Sequence, residues 1–234
     1  MTKIFLDPGH GGCWPHGDPG AVNGSYYESS CNLQIALRLR DALTAYDAEV
    51  MLSRSDDSCP SLSARAAMAN EWAADYYFSI HANAGSPWAS GTLAVLQLGR
   101  TKNGELLLAD MLTEAISDAL EIPQRPISYQ DVAVLRETTM PAVLLEVAFI
   151  SNSEDCSLLF DAMSQIRVAD AISRTLALYF GMALKNPALD PFAEDGEWAI
   201  KRGISDGTRA DDVILRKEVW AMLRRLEENR SIHL

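Results

Sequence analysis

Short apolar runs alternate with longer stretches of helical period through most of the chain. Lys3–Asp7, Glu49–Arg54, Asp75–Ile80, Gly91–Leu96 and Ala142–Phe149 read as strands. The last is almost continuously apolar, the pattern of a strand buried on both faces, and it carries one charge, Glu146. Between the strands, Leu33, Ala36, Leu37, Arg40 and Leu43 recur at the helical period, with Leu39 widening the face, and predict a helix from about Glu28 to Ala45. Pro60-Ser61 opens a second helix with serine in the capping position. A third spans about Gly104 to Leu120, and Ser151-Asn152-Ser153-Glu154 has capping-box character before a fourth. The last, from about Gln165 to Leu184, places Ile166, Ala169, Ile172, Leu176 and Phe180 on one face. Strands alternating with helices predict an α/β fold, a mainly parallel sheet covered on both sides.

The alternation stops at Asn186-Pro187-Ala188-Leu189-Asp190-Pro191. The expected organisation is a domain over 1–184, a linker over 185–191 and a small helical C-terminal domain over 192–234. The last piece is too short for a large core of its own.

Composition narrows the function classes. The chain has 234 residues, is 48% hydrophobic and 22% charged, and is therefore globular rather than disordered. Its net charge of −12 argues against a nucleic-acid partner and against simple electrostatic adhesion to anionic membranes or anionic wall polymers. No apolar run reaches the roughly 18 to 20 residues of a membrane span. Met1 leads almost directly into the first strand, so synthesis in the cytoplasm without a signal peptide is the expectation. The four cysteines, Cys13, Cys31, Cys59 and Cys156, lack CxxC spacing and read as free thiols, with Cys13 close enough to His10 to come near a metal.

The candidate chemistry sits at strand ends. His10 and His81 each follow a predicted strand, and ligand sites of open α/β sheets form beyond the carboxyl ends of the strands. Glu28, at the end of the glycine-rich loop leaving His10, reaches the same rim. Two imidazoles and a carboxylate make a catalytic zinc set with a position left for water or substrate. Glu146 is a carboxylate in an apolar strand, costly unless a cation or a catalytic duty compensates. His16 reads as a surface-loop histidine or a spare ligand. Arg136 reads as a contact for a substrate carboxylate or as half of a structural ion pair. Asn83 is a further candidate for substrate contact, and Asn83 and Asn152 also suit loop-pinning bonds from side chain to backbone. Arg54, Arg65 and Asn70 read as scaffold.

Four segments occur in series: Asp7-Pro8-Gly9-His10-Gly11-Gly12, Glu28 with Asn32, Ser79-Ile80-His81-Ala82-Asn83-Ala84, and Leu145-Glu146-Val147-Ala148-Phe149-Ile150-Ser151-Asn152. Together they resemble the zinc-dependent N-acetylmuramoyl-L-alanine amidases of the type-3 family over roughly residues 2 to 183. The resemblance implies a Rossmann-like sheet, His10, Glu28 and His81 as zinc ligands, Glu146 as the catalytic glutamate, and bacterial peptidoglycan as substrate. Val147-Ala148 departs from the glycine common before Phe-Ile-Ser-Asn. The segment Glu197–Leu223 resembles a single S-layer-homology-like unit, suited to wall-polymer attachment or to self-association. The expected role is a phage endolysin reaching the wall at lysis. The alternatives are a host autolysin or a spore-related amidase, a zinc peptidase cutting within the stem peptide, and a catalytically inactive wall-binding protein.

Overall fold

The computed structural model describes residues 1–12, 17–100 and 104–185. Cys13, His16, the linker beyond Lys185 and the 192–234 segment lie outside the described residues. The described residues fall into two compact units, one of Met1–Thr44 with Ala48–Thr175, the other of Ala45–Asp47 with Leu176–Lys185.

The first unit follows the predicted alternation. In chain order its elements are β1 (Thr2–Pro8), β2 (Val22–Asn23), β3 (Tyr26–Tyr27), α1 (Glu28–Leu43), β4 (Ala48–Leu52), α2 (Leu62–Glu71) and β5 (Tyr76–Asn83). There follow β6 (Leu93–Gln97), α3 (Glu105–Leu120), β7 (Ser128–Gln130), α4 (Ala133–Arg136), β8 (Ala142–Phe149), α5 (Ser153–Phe160) and α6 (Ala162–Phe180), with the unit boundary falling inside α6. Six strands form one sheet in the order β4-β1-β5-β8-β6-β7. β4, β1, β5 and β8 run parallel, β6 is antiparallel to β8, and β7 is parallel to β6. The fold is α/β with a mainly parallel, helix-flanked sheet, as the alternation predicts.

The sheet core explains the apolar runs. Ile4, Phe5 and Leu6 of β1, Tyr77, Phe78 and Ile80 of β5, and Val143, Leu145 and Val147 of β8 are all fully excluded from water or nearly so. Each such side chain contributes about 1.5 to 3 kcal/mol. Phe5 stacks on Tyr77 with centroids 5.5 Å apart, in a cluster with Ala69 of α2 and Val134 and Leu135 of α4.

Several details differ from the sequence reading. In α1 the buried stripe is Glu28, Asn32, Ile35, Ala36, Leu39 and Leu43, whereas Leu33, Leu37 and Arg40 are half-buried. The helix is rotated so that Glu28 and Asn32, both polar, face inward. In α6 Ile166 is 43% exposed and the buried stripe runs through Gln165, Val168, Ala169 and Ile172. Gln165 is turned inward because it bonds Gln34, Arg38 and the Leu159 carbonyl. α6 also begins earlier, where Asp161 caps Ser164, and ends at Phe180. The hairpin β2–β3, β7 and α4 are too short to leave a periodic signal.

In the second unit, Asp47 N donates to Ala183 O at 2.9 Å and Lys185 N to Ala45 O at 2.8 Å, pairing the two described pieces. Among the described residues no helix is long and apolar enough to cross a membrane, and Cys31, Cys59 and Cys156 are free.

Candidate active site

The site forms where β1, β5 and β8 end together. At β1 the turn through Gly9 brings its N–H to the Ile80 carbonyl at 2.9 Å. Gly9 is required there, because a Cβ would lie 2.2 Å from the His81 ring. His10 then takes φ +61°, a left-handed conformation that a non-glycine residue adopts only at a cost. β5 extends to Asn83, three residues further than the sequence pattern marks, so His81 lies inside the strand rather than after it.

Glu28, the first residue of α1, ties the two histidines together. Its Oε1 lies 2.8 Å from His81 Nδ1 and 3.3 Å from His10 Nε2. It also accepts from Ala82 N at 3.2 Å and Asn32 Nδ2 at 3.3 Å, while Oε2 accepts from Ala21 N at 2.8 Å. Burial alone would raise the Glu28 carboxyl, but the two imidazoles hold it far below the usual carboxylate range. Reciprocally, burial works against charge on His10, yet the Glu28 and Asp18 carboxylates push its value up to about 9. One donor atom each from His10, Glu28 and His81 lie within 4.8 Å of one another.

Beneath this cluster sits a buried polar layer. Asp7 Oδ1 accepts from Ser53 Oγ at 2.6 Å and Arg65 Nη1 at 2.7 Å, and Oδ2 accepts from Tyr77 OH at 2.6 Å and Ser79 Oγ at 2.8 Å. Arg54 and Arg65 spend their guanidinium groups on the turn itself. Arg54 donates to the carbonyls of Pro8, Gly9 and Ser29, and Arg65 to those of Pro8 and His10. These two arginines read as scaffold from sequence, and the part of the scaffold they build is the turn bearing His10.

Asp18 was not distinguishable in sequence from an ordinary polar loop residue. Its Oδ2 lies 2.7 Å from His10 Nδ1, and its Oδ1 accepts from Gly20 N at 3.0 Å. A carboxylate on the far nitrogen fixes the ring and the tautomer of a metal-ligating histidine. No signal in the sequence marks it; the loop's return is sealed by the reciprocal Gly11–Asp18 backbone pair at 2.8 and 2.7 Å.

Glu146 stands directly opposite His81 in the β5–β8 register. Its Oε2 is buried with no hydrogen-bond partner among the described residues, and burial pushes its carboxyl up to about 7. The other candidates are placed differently. Asn83 is at the same edge, with its Oδ1 accepting from Ala84 N at 2.8 Å, and Asn152 caps α5 and donates to the Pro87 carbonyl at 3.0 Å. Arg136 is not brought here. It precedes the opposite end of β8 and pairs with Asp131 at 2.7 Å and Glu137 at 3.5 Å.

Two imidazole nitrogens and one carboxylate oxygen, with no further protein donor in the group among the described residues, match the donor set of a catalytic zinc centre. The partnerless Glu146 oxygen beside them suits a group that awaits water or substrate. The residues fit the metal. Fold and site together define an α/β protein with a donor set suited to a metal ion at the carboxyl edge of its sheet.

Comparison with known proteins carries this further. Residues 4–177 match the N-acetylmuramoyl-L-alanine amidase family, and the chain belongs to it. The family's name states the reaction, hydrolysis of the amide bond between N-acetylmuramic acid and L-alanine in peptidoglycan. The chain is 35% identical over 191 residues to the N-acetylmuramoyl-L-alanine amidase CwlM of Bacillus licheniformis, covering 81% of this chain and 73% of that protein. It is 36% identical over 159 residues to a sporulation-specific amidase of Bacillus subtilis, covering 67% of this chain and 60% of that one. The catalytic domain of CwlV from Paenibacillus polymyxa superposes with a TM-score of 0.70 at 35% identity, over 77% of this chain and 98% of that domain. An amidase from Clostridium difficile gives 0.71 at 33% identity, over 77% and 97%.

Proposed function

We propose that this chain is a zinc-dependent peptidoglycan amidase in which His10, Glu28 and His81 hold the metal and Glu146 moves the proton. The observation that carries this is the buried, partnerless Oε2 of Glu146 opposite His81. When bound, zinc would supply Lewis acidity and lower the pKa of a coordinated water from about 15.7 to about 7.

The rest is work for the chain's own groups. Glu146, held at a raised value by burial, accepts the proton of the attacking water and returns it to the amide nitrogen as the carbon–nitrogen bond breaks. The products are the lactyl carboxylate on the sugar and the free amine of L-alanine. Asp18 keeps the His10 ring oriented, and Asn32 and the Ala82 N–H hold Glu28, so no ligand must reorganise during turnover.

The sporulation-specific relative of Bacillus subtilis favours a bacterial wall or spore setting over phage lysis as the place of action. A conditional knockout in the source cell separates the two: a spore or wall-turnover defect supports the first, and a block confined to phage release supports the second.

The activity is tested by digesting purified peptidoglycan and analysing the fragments by mass spectrometry. Stem peptides beginning at L-alanine, lost on chelation and restored by zinc, are expected. Cleavage inside the stem would make the protein a peptidase. Binding without cleavage of several wall types would make it an inactive wall-binding protein.

A further inference from the structure

At the edge of the site formed by the start of β6, one cation has no carboxylate. Arg125 lies in the loop between α3 and β7, where its N–H donates to Thr92 O at 2.8 Å. Thr92 in turn donates through Oγ1 to the carbonyl of Glu146 at 3.0 Å. The loop is therefore two hydrogen bonds from the backbone of the proposed proton carrier. The Arg125 side chain is fixed twice more. Its Nε donates to Ser90 O at 2.5 Å, and its guanidinium lies over the Phe149 ring, 4.9 Å from the centroid.

These contacts use Nε–H and one face of the guanidinium. Both terminal amino groups are left without an acceptor or a carboxylate among the described residues, in a chain with 32 acidic and 20 basic side chains. Asp155, which shares Ser90 with Arg125, accepts from Ser90 Oγ, Gly91 N and Phe149 N. Arg54 and Arg65, by contrast, are buried and bonded to the His10 turn. Arg125 is half-buried and pre-oriented, with a planar fork that matches a carboxylate in two parallel bonds.

Resting on the amidase reading above, we infer that Arg125 is a specificity residue that binds a free carboxylate of the stem peptide just beyond L-alanine. The substrate's own chemistry decides which side it reads. The glycan beside the scissile bond is built of neutral N-acetyl sugars, and its lactyl carboxyl is consumed in the amide, so the anionic groups are on the peptide side. Arg125 thus marks the β6–β7 side of the site as the peptide side. It takes the role that sequence reading assigned to Arg136, which is tied to Asp131 and Glu137 at the far end of β8.

The test uses the full zinc-loaded chain and two soluble muropeptides that differ only at the residue after L-alanine, one with a free carboxylate and one with the carboxamide. A charge-assisted pair contributes enough for the wild type to favour the acid by about 10- to 100-fold in kcat/KM. Arg125→Gln is expected to lose that factor on the acid, chiefly through KM, while its rate on the amide stays within about threefold. Arg125→Lys retains part of the preference. Equal slowing of both substrates by Arg125→Gln would show that the side chain only pins the Ser90 loop and would overturn the assignment. So would a wild type that cleaves acid and amide equally well. A wild type that cleaves neither would overturn the amidase reading itself, and the subsite with it.

Discussion

Arg65 donates from Nη2 to the carbonyl oxygen of His10 at 2.7 Å, across 55 residues of sequence, while its Nη1 pairs with buried Asp7 at 2.7 Å. The His10 backbone at φ +61° costs on the order of 1 to 3 kcal/mol, and this arginine is among the groups that hold it there. Removing one member of a buried pair leaves the other charge uncompensated. Arg65→Ala is therefore expected to lower the unfolding free energy by about 3 to 5 kcal/mol and to weaken zinc binding in whatever fraction stays folded. Urea denaturation with a parallel zinc titration checks both.

Asp7 gives the stability a defined acid limb. Burial raises its carboxyl, but Arg65 and the hydroxyls of Ser53 and Tyr77 outweigh that and hold it below its ordinary 3.8. Because the folded-state value lies below the unfolded one, its contribution is complete above that pH and fades as pH falls through the folded-state value. Asp7→Asn should be clearly less stable than the wild type at pH 7, with the gap closing below about pH 4. A gap independent of pH, measured by thermal melts from pH 7 down to 3, would remove Asp7 from this role.

Asp18→Asn leaves a group that can still touch His10 Nδ1 but carries no charge. Loss of such an outer partner typically weakens metal affinity about 10- to 100-fold. Competition with a zinc chelator should show that decrease with little change in melting of the metal-free protein, because Asp18 is largely exposed, its side chain at 61%.

Glu146→Gln removes the proton carrier while keeping its volume. The expected result is unchanged zinc content and a fall in turnover of about 10² to 10⁴. The variant should be no less stable than the wild type above pH 7, since the carboxylate it replaces is buried without a partner. Metal analysis and muropeptide kinetics on the same preparation decide it, and full activity would exclude Glu146 from the reaction.

We propose, on its resemblance alone, that the C-terminal segment retains the protein on the wall. Ending the chain after Pro187 is then expected to reduce sedimentation with purified cell walls while leaving cleavage of soluble muropeptides intact. Equal sedimentation of the full and shortened chains would leave self-association as its role.

Much of the fold was legible because burial on both faces writes continuous apolar runs, and these mark β1, β5 and β8. The errors are equally physical. Leu33 and Leu37 looked like the core of α1 by hydrophobicity, but Glu28 and Asn32 are turned inward by their bonds to His81 and to the Gly9 carbonyl. In α6, Ala169, Ile172 and Leu176 are buried as the periodicity predicts, but Ile166 is exposed and Gln165 takes the inward place through its bonds. Polar groups that are satisfied inside the protein defeat a pattern based on apolar side chains.

By itself, the sequence determined the strand–helix alternation and put His10 and His81 at the sheet's carboxyl edge, with Glu28 on a loop able to return there. Those follow from local periodicity and from the topology of parallel strands. Tertiary structure decided the register that sets His81 opposite Glu146 and the partners of Asp7 and Arg65. Each depends on register and on bonds between residues far apart in sequence, which no local pattern encodes.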